Sequence, residues 1–143
     1  MRISTKCSIA VHCLLFINEY GNIKKTTSEL LALSTGCNPV MIRSIFSALK
    51  KAGILIVPPG TGGARLACPA SEISLYRICT ALEPNVLEKM IGLHPFPSAL
   101  CPIGRSIHAV LDNAYEKIRA DMQKSLRSVT LEDIVRQYHN NQG

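Results

Sequence analysis

Two sets of side chains in this sequence have chemistry to offer: its thiols and its cations. Six cysteines stand at positions 7, 13, 37, 68, 79 and 101. A thiolate can ligate a soft metal, attack as a nucleophile or be oxidised. Metal sites and disulfide frameworks show themselves by spacing, however, and no two of these cysteines form a CxxC pair. His94 and Cys101 flank a proline-rich loop with His108 beyond it. A His–x6–Cys spacing without a second pair is not a ligand signature, so no metal site is expected. Several of the remaining cysteines fall inside apolar helical patterns, as buried reduced thiols do. Two are candidate redox thiols: Cys37, just before a helix start whose partial positive charge favours a thiolate, and Cys101. The alternative for Cys37 is a small turn residue.

The cations are unevenly placed. Of a net charge of +6, residues 1–80 carry nine Lys/Arg against three acids, and the remainder carries seven of each. A basic half joined to a neutral half fits a part that meets a polyanion and a part with another task, such as self-association. A charged surface that only keeps the chain soluble would read the same way. No Ser/His/Asp or paired-carboxylate arrangement stands out, and Glu29, Glu83 and Glu88 fall at helix ends or on polar faces. The chain is therefore not read as an enzyme. No apolar run reaches the roughly 18 residues of a membrane span, and residues 1–20 lack a cleavage site after their apolar part, so a cytoplasmic protein without a membrane partner is expected. The 143 residues, 47% of them hydrophobic, suit one globular unit or a small domain with an appended helix.

The elements that must position these groups can be read in order. Ile9, Cys13, Phe16 and Ile17 follow helical spacing within Ser4–Tyr20, and Gly21 stops the run. Thr26-Thr27-Ser28-Glu29 fits a capping box, with Thr26 accepting from the first turn and Glu29 reaching back, before a short second helix of Leu30, Leu31 and Leu33 that ends at Gly36. Asn38-Pro39 is a strong helix start, and Ile42, Ile45, Phe46 and Leu49 form the buried stripe of a third helix, Pro39 to Ala52. Two short helices around a glycine are either a helix-turn-helix or one hairpin of a bundle. The sequel decides: Ile54–Val57 reads as a strand, VPPGTGG as a turn and Arg65–Cys68 as its return. The glycine-rich stretch lacks the GxxxxGK[ST] spacing and the following helix of a nucleotide loop. Three helices and a hairpin make a winged helix.

The segments TTSELLALSTGCNPVMIRSIFSALKKAGIL, PPGTGGARLA and SEISLYRICTALE together resemble the IscR/NsrR/CymR-type family of bacterial winged-helix transcriptional regulators over most of the chain. The resemblance implies a homodimer on a roughly palindromic operator, with a glycine cluster in the wing and a long C-terminal pairing helix. Members that carry an iron–sulfur cluster have three closely spaced cysteines before that helix, whereas MIGLHPFPSALCPIGRS supplies only Cys101; no cofactor is expected. The family's wing often places an arginine just before its first glycine. Pro59 stands there in this chain, and Arg65, beyond the glycines, is the candidate substitute.

In IHAVLDNAYEKIRADMQKSLRSV, Ile107, Leu111, Ala114, Ile118, Met122, Leu126 and Val129 recur every three or four positions, a stripe that needs a long apolar partner. A second copy is favoured over the chain's own domain. Thr130 then starts a short terminal helix with Asp133 as the capping acid. The resulting reading is a mainly α fold with a small β-hairpin wing: a winged helix-turn-helix DNA-binding domain over residues 1–80, a connecting helix and loop over 81–103, and a dimerisation helix and C-terminal helix over 104–143. Base contacts are assigned to Asn38, Val40, Met41, Arg43, Ser44 and Ser47. Phosphate and backbone contacts are assigned to Lys6, Lys24, Lys25, Thr27 and Lys50, with Gly62, Gly63 and Arg65 in the wing. The expected function is a dimeric, sequence-specific regulator, a repressor, with double-stranded DNA as partner. The alternative is a protein-interaction module that sequesters another regulator or enzyme.

Overall fold

The computed structural model describes residues 4–60 and 63–142. The chain runs through α1 (Lys6–Tyr20), α2 (Ser28–Thr35), α3 (Pro39–Lys51), a hairpin of β1 (Leu55–Ile56) and β2 (Arg65–Leu66), a single 3-10 turn (Ala70–Glu72), α4 (Leu75–Leu82), α5 (Val86–Met90), α6 (Pro102–Ser128) and α7 (Leu131–Gln142). Cys13, Leu14 and Ile17 of α1, Leu31 of α2 and Ile42, Ile45, Phe46 and Leu49 of α3 meet in one core with Ile54, Leu55, Ile73 and Ile78. The third helix starts as its sequence requires: the Asn38 side-chain oxygen accepts from the Met41 N–H at 2.8 Å, and Pro39 occupies the first helical position, where no N–H is needed.

The second helix starts one residue later than its sequence implies. Thr27, not Thr26, is the cap, its hydroxyl accepting from the Leu30 N–H at 3.2 Å. Glu29 then sits too early in the first turn to reach back. Thr26 is fully buried and its hydroxyl donates to the Ala64 carbonyl at 2.6 Å. The Ala64 N–H returns a bond to the Thr26 carbonyl at 3.2 Å, and Thr26 bridges Gly63. The two threonines are thus divided between a helix cap and the base of the wing. Gly63 has φ +75°, and a Cβ there would lie 2.6 Å from the Thr26 nitrogen. Glycine is required at this position by both its backbone angle and the close approach.

The hairpin is shorter than Ile54–Val57 and Arg65–Cys68. Its register pairs Leu55 with Leu66 and Ile56 with Arg65. Pro58 and Pro59 have no N–H to continue the ladder, and the returning strand is diverted at Gly63 and Ala64 onto Thr26. The C-terminal segment comes back to the core. The Leu75 N–H donates to the Val129 carbonyl at 2.8 Å and the Leu131 N–H to the Ile73 carbonyl at 2.7 Å, and Leu131 is fully buried. A reciprocal cap holds the start of α7: the Thr130 N–H donates to the Asp133 carboxylate, and the Asp133 N–H donates to the Thr130 hydroxyl. The Thr130 N–H foremost, with the Thr130 hydroxyl and the Arg136 guanidinium, holds the Asp133 carboxyl below its usual range.

Candidate nucleic-acid interface

Ile42, Ile45, Phe46 and Leu49 turn one side of α3 into the core, and the helical period therefore turns Val40, Arg43, Ser44, Ser47 and Lys50 outward, all of them exposed. Arg43, Ser47 and Lys50, spaced by four and three residues, share one stripe. That stripe lines a cleft of about 410 Å³ whose far side is the start of α2 at Thr27 and whose edge is the wing base at Gly63. Five assigned contact residues are brought together there. Ser44 lies on the neighbouring stripe, where it borders a second depression shared with Lys51 and Ala81.

The remaining assigned residues have other neighbours. Asn38 is committed to capping α3, while Met41 is half-buried and packs against the core. Lys24 and Lys25 are exposed in the turn between α1 and α2, and the Lys24 ammonium lies 5.4 Å from the centre of the Tyr20 ring. Lys6 is exposed at the start of α1. Arg65 is half-buried on β2 and donates to its neighbour, the Ala64 carbonyl, at 3.3 Å. Gly62 lies outside the described residues.

Sequence reasoning missed Glu29 as part of this site. Its carboxylate stands 3.6 Å from the Arg43 guanidinium, with the two side chains 70% and 55% exposed respectively. An exposed pair of this kind contributes roughly 0–1 kcal/mol, so it steers Arg43 without fixing it. The pairing follows from α2 and α3 packing side by side, a tertiary contact with no local signal.

The thiols singled out above lie apart. Cys37 is half-buried behind the cap of α3 and donates to the Thr35 carbonyl at 3.9 Å. Cys101 is exposed at the start of α6. About two turns further along α6, the imidazole of His108 makes a 2.7 Å hydrogen bond to the His94 carbonyl, and the two rings meet edge to face.

The long helix α6 has 27 residues and, among the described residues, none of them is buried. Its apolar positions divide into two sets. Ile107, Leu111, Met122 and Leu126 are half-buried, on the side that packs against α4 and α5. Ala114 and Ile118 are exposed, as are Ile103 and Val110 on the same side, the last at 68%. The open face thus runs Ile103, Val110, Ala114, Ile118, offset from the centre of the expected stripe.

A helix-turn-helix whose second helix presents cations beside a β-hairpin defines a winged-helix DNA-binding protein. A model of the Rrf2 family, described as iron-dependent transcriptional regulators, matches residues 3–137, and the chain belongs to that family. It is 34% identical over 133 residues to YwnA of Bacillus subtilis (strain 168), described as a candidate HTH-type transcriptional regulator, covering 93% of this chain and 96% of that one. A crystal structure described as a candidate DNA-binding protein superposes with TM-score 0.71 at 32% identity, over 90% of this chain and 97% of that one. T. potens IscR shares the fold with TM-score 0.73 at 20% identity, over 100% and 92% of the two chains. The protein is a DNA-binding transcriptional regulator.

Proposed function

We propose that the chain acts as a homodimeric repressor that occupies a roughly palindromic operator, with α3 in the major groove and Arg43 reading a base. The observation that carries this reading is the placement of Arg43, Ser47 and Lys50 on one outward stripe of a helix whose opposite side is locked in the core. A rigidly mounted guanidinium on an exposed face can reach the O6 and N7 of a guanine with two parallel donors. Lys50, at the end of the same stripe, and Lys25, in the turn before α2, are suited to phosphates. Pairing through α6 is supported by its open apolar face. A helix of this length extends about 40 Å, and a second copy offers an identical stripe under two-fold symmetry.

The iron named in the family's description has a poor donor set in this chain. The loop before α6 contributes one thiolate, Cys101, and His108 is engaged with the His94 carbonyl. Iron–sulfur clusters are held by several protein thiolates, so we read this chain as regulating without one. Protein purified without oxygen is expected to lack thiolate-to-iron charge-transfer absorption, and a stoichiometric cluster spectrum would contradict that reading.

The DNA reading is tested by comparing two substitutions on an operator. Arg43→Ala should cost about 1–3 kcal/mol on the operator and relax discrimination at one symmetric base pair. Lys25→Ala should weaken all sequences alike and flatten the salt dependence, because fewer counterions are released. Wild-type affinities for both operator and random DNA in Arg43→Ala would remove the base-reading assignment.

A further inference from the structure

The fold brings together two thiols that the sequence pattern leaves unconnected. Cys7, in the first turn of α1, and Cys79, on α4, are 72 positions apart, and the Cys7 sulfur lies 4.0 Å from the Cys79 carbonyl oxygen. The contact lies where α1 packs on α4, and the two thiols are close enough there to influence each other's titration. Both residues are half-buried. Cys13, by contrast, is fully buried, and burial pushes its thiol up to about 12.

We propose that Cys7 and Cys79 are a reversible oxidation site that closes to an intrachain disulfide on reaction with a hydroperoxide, and that α4 transmits the change to α3. The interaction with Cys7 holds the Cys79 thiol below its ordinary range, and the same interaction together with burial raises Cys7. Cys79 is therefore the sulfur that attacks. Its thiolate takes one peroxide oxygen; the O–O bond breaks, the leaving alkoxide or hydroxide takes up a proton, and Cys79 becomes a sulfenic acid. The Cys7 sulfur then attacks the Cys79 sulfur, its proton leaving with the hydroxyl as water. The S–S bond forms as the S–O bond breaks. The two thiols lose two electrons and the hydroperoxide gains them.

Beside the direct packing of α4 on α3, one side chain ties α4 to the end of the recognition helix. Arg77, two residues before Cys79, donates through Nη2 to the Ala52 and Gly53 carbonyls at 3.3 and 3.2 Å, where α3 ends. Its Nη1 donates to Cys68 Sγ and to the Glu72 carbonyl, each at 3.3 Å. A disulfide needs a sulfur separation of about 2.05 Å, closer than two free thiols approach, so closing it draws α4 toward α1. Arg77 carries that movement to the end of α3. This coupling rests on α3 as the DNA-reading helix; the disulfide does not.

The test treats the reduced full-length chain with hydrogen peroxide. The expected result is loss of two of the six thiols, a peptide linking Cys7 to Cys79, and full reversal by dithiothreitol. Cys7→Ser should stop at a sulfenic acid on Cys79, and Cys79→Ser should give no linked peptide. Operator retention at fixed salt should change at least about fivefold in the oxidised wild type and in neither variant. First oxidation at Cys37 or Cys101, or crosslinks between chains, would overturn the site. A Cys7–Cys79 disulfide with unchanged retention would overturn the coupling alone. Reduced protein that ignores operator DNA would refute the role of α3 and leave the disulfide result standing.

Discussion

The helices α3 and α6 are both amphipathic, yet the chain treats them in opposite ways. Four residues of the thirteen-residue α3 are buried, whereas none of the 27 in α6 is. The apolar side of α3 is satisfied within the chain, and what remains outward is polar and cationic: Arg43, Ser44, Ser47 and Lys50. The apolar side of α6 is only partly covered by α4 and α5, and what remains outward is Ile103, Val110, Ala114 and Ile118. A finished helix with a charged outer face awaits a charged ligand, and an unfinished one with an apolar outer face awaits another protein surface. The proposed division of labour, α3 for DNA and α6 for pairing, rests on how each helix uses its hydrophobic stripe.

The largest effect should come from α6. Val110→Asp with Ile118→Asp puts two carboxylates on the open face, where pairing would desolvate them. Light scattering at micromolar concentration should give twice the 15.6 kDa chain mass for the wild type and monomers or aggregates for the variant. A monomeric wild type would break the comparison at once.

An intermediate effect is expected where the segment before α2 meets the wing base. Thr26→Val leaves the buried Ala64 carbonyl without the hydroxyl that donates to it. Thermal or denaturant unfolding should show a loss of about 1–3 kcal/mol. An unchanged midpoint would mean that the wing base is not anchored there.

The smallest effect belongs to Glu29. Glu29→Gln should alter stability by no more than about 1 kcal/mol, since the pair with Arg43 is exposed. It should instead raise low-salt retention on DNA of any sequence, because a carboxylate is removed from the cationic stripe. Weaker retention would show that Glu29 serves chiefly to hold Arg43 in a productive position.

What the sequence made legible follows the range of the forces involved. Asn38-Pro39 and the Ile42, Ile45, Phe46, Leu49 stripe are local signals, and α3 begins and packs as they require. Thr130 and Asp133 likewise form the cap expected of them. The start of α2 was open to misreading because Thr26 and Thr27 are both competent caps, and only the Ala64 carbonyl, 38 positions away, claims the first. The Glu29–Arg43 pair and the Cys7–Cys79 contact arise in the same way, from helices meeting in space. The period of α6 announces an apolar face but not which part α4 and α5 cover, and so the open line lies to one side of the expected one.

The measurement that bears most directly on the account is selection of DNA from a random-sequence pool by the purified protein at physiological salt. A dimer reading through two α3 helices should enrich a two-fold symmetric site with half-sites about one helical turn apart, and Arg43→Ala should lose the preference at one pair of symmetry-related positions. Enrichment of an asymmetric site, or an Arg43→Ala protein that recovers the wild-type sequence unchanged, would contradict it.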